Sequence, residues 1–166
     1  MTIVNSANND ISLILLDEDP IFTLGFQEIC RTQEFKNIDK NLHLNIVATG
    51  KIKDCSSLLS RSQVDLLVVA TDFDRFANQA NFFINTIPEL IKQYPWLKIV
   101  LLVNPAKYLF YISQIDSIQG ACYKYSDIQE IIKTFKACLK GKKYLSKKNL
   151  STKNPNKFNY WLYKQS

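Results

Sequence analysis

The stretch Ile11-Ser12-Leu13-Ile14-Leu15-Leu16-Asp17-Glu18-Asp19-Pro20 limits the folds open to this chain more than any other. Its first six residues are nearly all apolar and do not alternate with polar ones, so a strand built from them needs cover on both faces. They run directly into three acids and a proline. Pro20 suits a helix opening, since the amide hydrogen it lacks would have no partner in the first turn. Ile21, Phe22, Leu24, Phe26 and Ile29 then continue at helical spacing. The acids therefore belong at the carboxyl end of a central strand, where open α/β sheets gather their ligands. Three carboxylates so close repel one another unless a cation neutralises them. A plainer reading also stands, in which Asp19 caps the helix and Asp17 and Glu18 are solvated.

The same alternation repeats along the chain. Residues 43–48 read as an alternating strand, and Lys51 to Arg61 as a short amphipathic helix with Ile52, Cys55, Leu58 and Leu59 on one face. Asp65 to Ala70 is a third, apolar strand. Arg75 to Tyr94 is a long helical stretch carrying Phe76, Ala80, Phe83, Ile84, Ile87 and Ile91, and Pro88 inside it should kink or restart the helix. Lys98 to Val103 is a fourth strand, Pro105 to Gln114 an aromatic-rich helix and Ile118 to Tyr123 a fifth strand. Ser126 is placed to cap a last helix, Asp127 to Leu139, which ends near Gly141. Five strands alternating with five helices call for a parallel sheet with helices on both faces, because each right-handed crossover carries a helix.

Charge separates the body from its end. Eight lysines and no acid fall between Lys140 and Ser166, whereas residues 1–139 hold 13 basic and 15 acidic groups. The net charge of +6 thus belongs to the tail. Residues 1–146 read as one domain and 147–166 as a basic tail interleaved with Phe158, Tyr160, Trp161, Leu162 and Tyr163. Basic and aromatic residues so mixed can bind nucleic acid or an anionic surface. A solvated lysine-rich linker ending in an apolar segment that docks on its own domain or on a partner is the plainer account. Cys30, Cys55, Cys122 and Cys138 form no CxxC pair and have no histidine nearby, which fits neither zinc nor a disulfide framework and suggests reduced, buried thiols. No apolar run reaches the roughly 18 residues of a membrane span, and the Asn-rich start lacks the layout of a signal or transit peptide.

The motifs Leu16-Asp17-Glu18-Asp19-Pro20-Ile21-Phe22 and Tyr94-Pro95-Trp96-Leu97-Lys98-Ile99-Val100-Leu101-Leu102, with Lys124 and the later Lys140-Gly141-Lys142-Lys143-Tyr144-Leu145-Ser146, give residues 11–146 a family likeness. The chain resembles the response-regulator receiver (CheY-like) family of two-component signalling. That resemblance implies a flavodoxin-like (βα)5 three-layer α/β sandwich with parallel sheet order 2-1-3-4-5, here followed by the basic C-terminal tail. It also implies a site: an acidic pair for Mg²⁺, an aspartate acceptor ending the third strand, a hydroxyl ending the fourth, an aromatic switch and a lysine. The acidic pair falls on Asp17 and Glu18 and the lysine on Lys124, but the acceptor position is Ala70, the hydroxyl position Val103 and the switch position Ala121. Asp72 is the alternative acceptor, sharing a strand face with residue 70, but two residues advance a strand by about 6.6 Å, which should carry its carboxylate past the metal position unless the strand is bulged. Lys124, Asp17 and Glu18 are then expected to form a residual ion-pair cluster that binds Mg²⁺ weakly at most and needs no cofactor.

The expected function is that of a pseudo-receiver, a non-catalytic signalling or interaction module that is not an enzyme and meets a protein partner through the side formed by residues 105–139. An active regulator phosphorylated at Asp72, and a nucleic-acid-binding regulator using the tail, are the alternatives. The chain also resembles the receiver-like part of a hypothetical chloroplast reading frame family of red-algal plastids and cyanobacteria, in which a further domain follows, so that this chain would be a shortened form. Its composition, rich in Asn, Lys, Ile, Phe and Tyr, suits an AT-rich genome, which together with the resemblance places it in the plastid stroma or a bacterial-type cytoplasm.

Overall fold

The computed structural model describes residues 9–36, 42–74, 79, 82–112 and 115–146. The tail 147–166, and with it the lysine and aromatic cluster, lies outside the described residues, as do Phe76 and Ala80.

Six parallel strands form one sheet: β1 (Asn9–Leu16), β2 (Leu42–Gly50), β3 (Leu66–Asp72), β4 (Lys98–Asn104), β5 (Gly120–Tyr123) and β6 (Tyr144–Leu145). Their order is β2-β1-β3-β4-β5-β6, the expected flavodoxin-like arrangement with one strand added. The apolar strands are buried as their sequences demand. Leu13 to Leu16, Leu66 to Val69 and Ile99 to Val103 are closed to solvent. One core layer joins Leu13, Leu15, Val68, Val100 and Cys122 to Phe26, Ile131 and Phe135; the other joins Ile14, Leu16, Val69, Leu101 and Val103 to Leu59, Ile87 and Leu109. Period-two alternation sorts each strand between the two layers.

Helices α1 (Pro20–Cys30), α2 (Gln33–Lys36), α3 (Cys55–Arg61), α4 (Ile87–Gln93), α5 (Leu109–Ile112) and α6 (Ile128–Leu139) connect the strands. Asp19 caps α1, its carboxylate accepting from the amides of Ile21 and Phe22. Asp127, rather than Ser126, caps α6 by accepting from the Glu130 amide, since its extended backbone brings the carboxylate onto the first turn. Pro88 restarts the helix as anticipated, with a π-helical turn at Phe82–Thr86 leading into α4. The helices expected at 51–61 and 105–114 each open with a 3-10 turn, Ile52–Asp54 and Ala106–Tyr108.

The sixth strand is the main departure from the sequence reading. Gly141, at φ +77°, reverses the chain after α6 and bonds back to the Cys138 carbonyl. Tyr144 and Leu145 then pair with Gly120 and Ala121. Tyr144 is anchored through its hydroxyl, which donates to Glu130 Oε1 at 2.8 Å. A two-residue strand carries no periodicity, so nothing in its sequence marked it.

Candidate functional site

Strand alternation gathers one set of polar side chains. Asp17 follows Leu13 and Leu15 in phase, Asp72 follows Val68 and Ala70, Asn104 follows Val100 and Leu102, and Lys124 follows Cys122. All four therefore emerge on the α1 and α6 side, at the carboxyl ends of β1, β3, β4 and β5. Lys124 lies at the centre, only 1% exposed, with Asp17 and Asp72 at 5% and 6%. Its Nζ is 3.0 Å from Asp17 Oδ2 and 3.0 Å from Asp72 Oδ2. Asp17 Oδ1 takes the amide of Asp19 at 3.0 Å, and Asp72 Oδ1 accepts from Asn104 Nδ2. The Phe22 ring covers the ammonium, 4.5 Å from its centroid, and the half-exposed Tyr125 ring stands 5.7 Å away.

Burial and pairing compete in this cluster. Burial pushes the Asp17 carboxyl above its ordinary value, and the bonds from Asp19 and Lys124 only partly oppose that. For Lys124 burial acts to lower the pKa, yet the two carboxylates outweigh it and the ammonium is held above its ordinary value. Asp17 Oδ2 has no hydrogen bond of good geometry among the described residues and is stabilised by the charge of Lys124 alone.

Two expectations are corrected here. Glu18 does not join Lys124: its Oε1 accepts from the Ile52 amide at 3.2 Å, because the residue after Asp17 faces the opposite side, toward the β2–α3 connection. Asp72 does not overshoot. The β3–β4 register runs without a shift from Leu66↔Lys98 to Asp72↔Asn104, so β3 is two residues longer than its apolar run, with no bulge. The long arm of Lys124 reaches outward to meet the carboxylate, and Asn104 holds its other oxygen. Ala70 lies one layer deeper, paired with Leu102 in the core. Val103 and Ala121 face the opposite core layer. Asn104 was not singled out from sequence, although its phase with Val100 and Leu102 would have placed it.

As they stand, these residues do not make a hard-cation site. Mg²⁺ wants several free oxygen ligands, but Lys124 already occupies the space between Asp17 and Asp72, and Glu18 is turned away. Among the described residues no group of three or more acids, histidines or cysteines is placed to hold a metal. What the arrangement can do is fix the ends of three strands around one buried ammonium.

No family model matches the chain, and no curated protein matches it. Solved structures do. The two-component response regulator RcsB in a DNA complex superposes with a TM-score of 0.64 at 20% identity, covering 84% of this chain and 65% of that one. The isolated REC domain of RcsB from Salmonella enterica serovar Typhimurium, with the phosphomimetic BeF3⁻, gives a TM-score of 0.62 at 20% identity, covering 84% of this chain and 95% of that one. The second match takes in nearly the whole of an isolated receiver domain. This chain has the receiver fold. It spans about 65% of the full-length RcsB chain, and within the receiver fold its polar cluster occupies the carboxyl ends of the central strands. No helix among the described residues is long and apolar enough to cross a membrane.

Proposed function

We propose that the chain is a pseudo-receiver: a signalling or interaction module with the receiver fold that works without aspartyl phosphorylation and is not an enzyme. The observation that carries this reading is the closed Lys124 cluster. Position 70 offers only a methyl group within the core, while both oxygens of Asp72 are engaged, one by Lys124 and one by Asn104. A nucleophilic carboxylate needs a free oxygen and a neutralised neighbourhood for the incoming phosphoryl group. Here the neutralising cation is already used to hold the acid. The module then acts through a protein partner at the side formed by residues 105–139. On that side β6 covers the outer edge of β5, so a partner would meet Tyr144 and Leu145 instead of an open β5 edge.

A second reading is favoured by one observation, the contact of Asp72 with Lys124. If that contact loosens, Asp72 is the carboxylate placed to accept a phosphoryl group. Incubation with a small phosphodonor and Mg²⁺, read by intact mass, separates the two. An unchanged mass is expected. A gain of one phosphoryl group that Asp72→Asn abolishes would establish the active receiver instead. RcsB is described in complex with DNA, but this chain spans only part of RcsB, and nucleic-acid binding through the tail remains the third alternative. A plastid or bacterial-type cytoplasmic setting belongs to the same proposal.

A further inference from the structure

Helix α1 buries Phe26 and Cys30 but turns Ile21 and Leu24 outward, 80% and 65% exposed. Two large aliphatic side chains one helical turn apart lose the benefit of burial unless something covers them. They flank a groove of about 400 Å³ between α1 and the β2–α3 connection, lined by Asp17, Glu18, Pro20, Leu24, Gln27 and Lys51 among others. That volume falls in the range that holds a compact ligand. The floor is acidic, one wall is apolar, and the groove opens at the carboxyl end of the sheet.

We propose that this groove is the seat of the chain's own segment Phe158–Tyr163. Three observations select that occupant. β6 runs parallel to β5, so Ser146 leaves the sheet at the same carboxyl end at which the groove opens. From β6 to β2 is five interstrand steps, about 24 Å at ~4.8 Å each. Residues 147–157 span up to about 36 Å when extended, so the segment reaches the groove with slack. The charges also match. Residues 147–166 carry five lysines and no acid, whereas Asp17, Glu18 and Asp19 crowd the groove and Asp72 and Asp74 lie along the way. Finally, Phe158, Tyr160, Trp161, Leu162 and Tyr163 are as apolar as the wall they would cover. Tethering raises the local concentration of the segment to about the millimolar range, so a weak intrinsic affinity suffices. Docked there, the segment would close the outer approach to Glu18 and Asp17. This inference stands whether or not Asp72 accepts a phosphoryl group.

Photocrosslinking in the full chain tests it. Trp161→p-benzoylphenylalanine is irradiated at several protein concentrations, and the products are mapped by peptide mass. Crosslinks within one chain to residues 18–27 or 49–53 are expected, in a yield independent of concentration. Leu24→Glu, a change at an exposed position, should lower that yield about tenfold or more, and Leu24→Met should preserve it. Ile21→Glu serves as a second variant should Leu24→Glu perturb folding, with circular dichroism as the check. Crosslinks to another surface, crosslinks between chains that rise with concentration, or none at all would each overturn the proposal.

Discussion

Replacing Lys124 by methionine keeps most of the side-chain volume and removes its charge, leaving Asp17 and Asp72 facing one another across a buried site. Breaking a buried pair by removing one partner costs about 3–5 kcal/mol, since the remaining charge is left uncompensated. Here two carboxylates are stranded, one of them with an oxygen already lacking a well-formed hydrogen bond. Lys124→Met should therefore destabilise the fold by at least about 3 kcal/mol at neutral pH, measured by urea unfolding. The loss should also depend on pH in a defined direction. In the variant Asp17 stays buried without its cation, so its folded pKa rises further above the ordinary 3.8. A carboxyl with a raised folded pKa contributes stability that is complete below the unfolded value and is lost as pH rises through the folded one. Acidification from pH 7 toward pH 4 should accordingly recover part of the deficit in Lys124→Met, and Asp17→Asn in the same background should recover it at neutral pH. A deficit below about 1 kcal/mol, equal at pH 7 and pH 5, would mean that the cluster is solvated and the reasoning wrong.

Other outcomes follow from the same structure. Mg²⁺ affinity, followed by calorimetry or NMR, should be no tighter than about millimolar, since the acids are already engaged or turned away; micromolar binding would require Lys124 to leave the cluster. Stability should fall as pH rises above about 9, because burial pushes the thiols of Cys30, Cys55 and Cys122 up to about 12 and that of Cys138 to about 11. The unfolded chain loses those protons first, so each thiol costs about 1.4 kcal/mol per pH unit across that window, and Cys122→Ala should flatten the slope in urea titrations at several pH values. Phe135 packs against Phe26 and Phe35 with ring centroids 6.1 and 5.5 Å away; Phe135→Ala should lower the unfolding free energy by about 3–5 kcal/mol. Gly141→Ala, at a positive φ with open space around it, should cost about 1 kcal/mol through backbone strain alone, seen as a lower urea midpoint.

The fold was legible because its strands are apolar without alternation. Leu13 to Leu16 and Leu66 to Val69 can be satisfied only inside a sheet covered on both faces, and the sheet order agrees with that expectation. Elements held by tertiary contacts were not legible. β6 exists because Gly141 turns the chain and Tyr144 finds Glu130, and neither event leaves a periodic trace in two residues. The extension of β3 was hidden for a related reason. Thr71 and Asp72 are polar, so the apolar run ends at Ala70, yet Thr71 bonds Gln79 and Asp72 bonds Lys124 and Asn104. Partners distant in sequence make polar residues affordable inside a strand.

That extension changes what Lys124 can be. Had β3 ended at Ala70, the ammonium would have faced one carboxylate and a methyl group. Such a lysine, buried with a single partner and under pressure from desolvation, would tend to shed its proton or swing to solvent. With Asp72 two residues farther along the same face, the ammonium gains a second carboxylate at the same 3.0 Å as the first. Its pKa is held up instead of down. Lys124 thus ties β1, β3 and β5 together where the receiver fold opens to its surroundings, and Phe22 of α1 closes over it. A partner bound near α1 or the β5–α6 turn would feel any change in that tie. The cluster can therefore contribute to recognition through the position of Phe22 and Tyr125, without a covalent step at either acid.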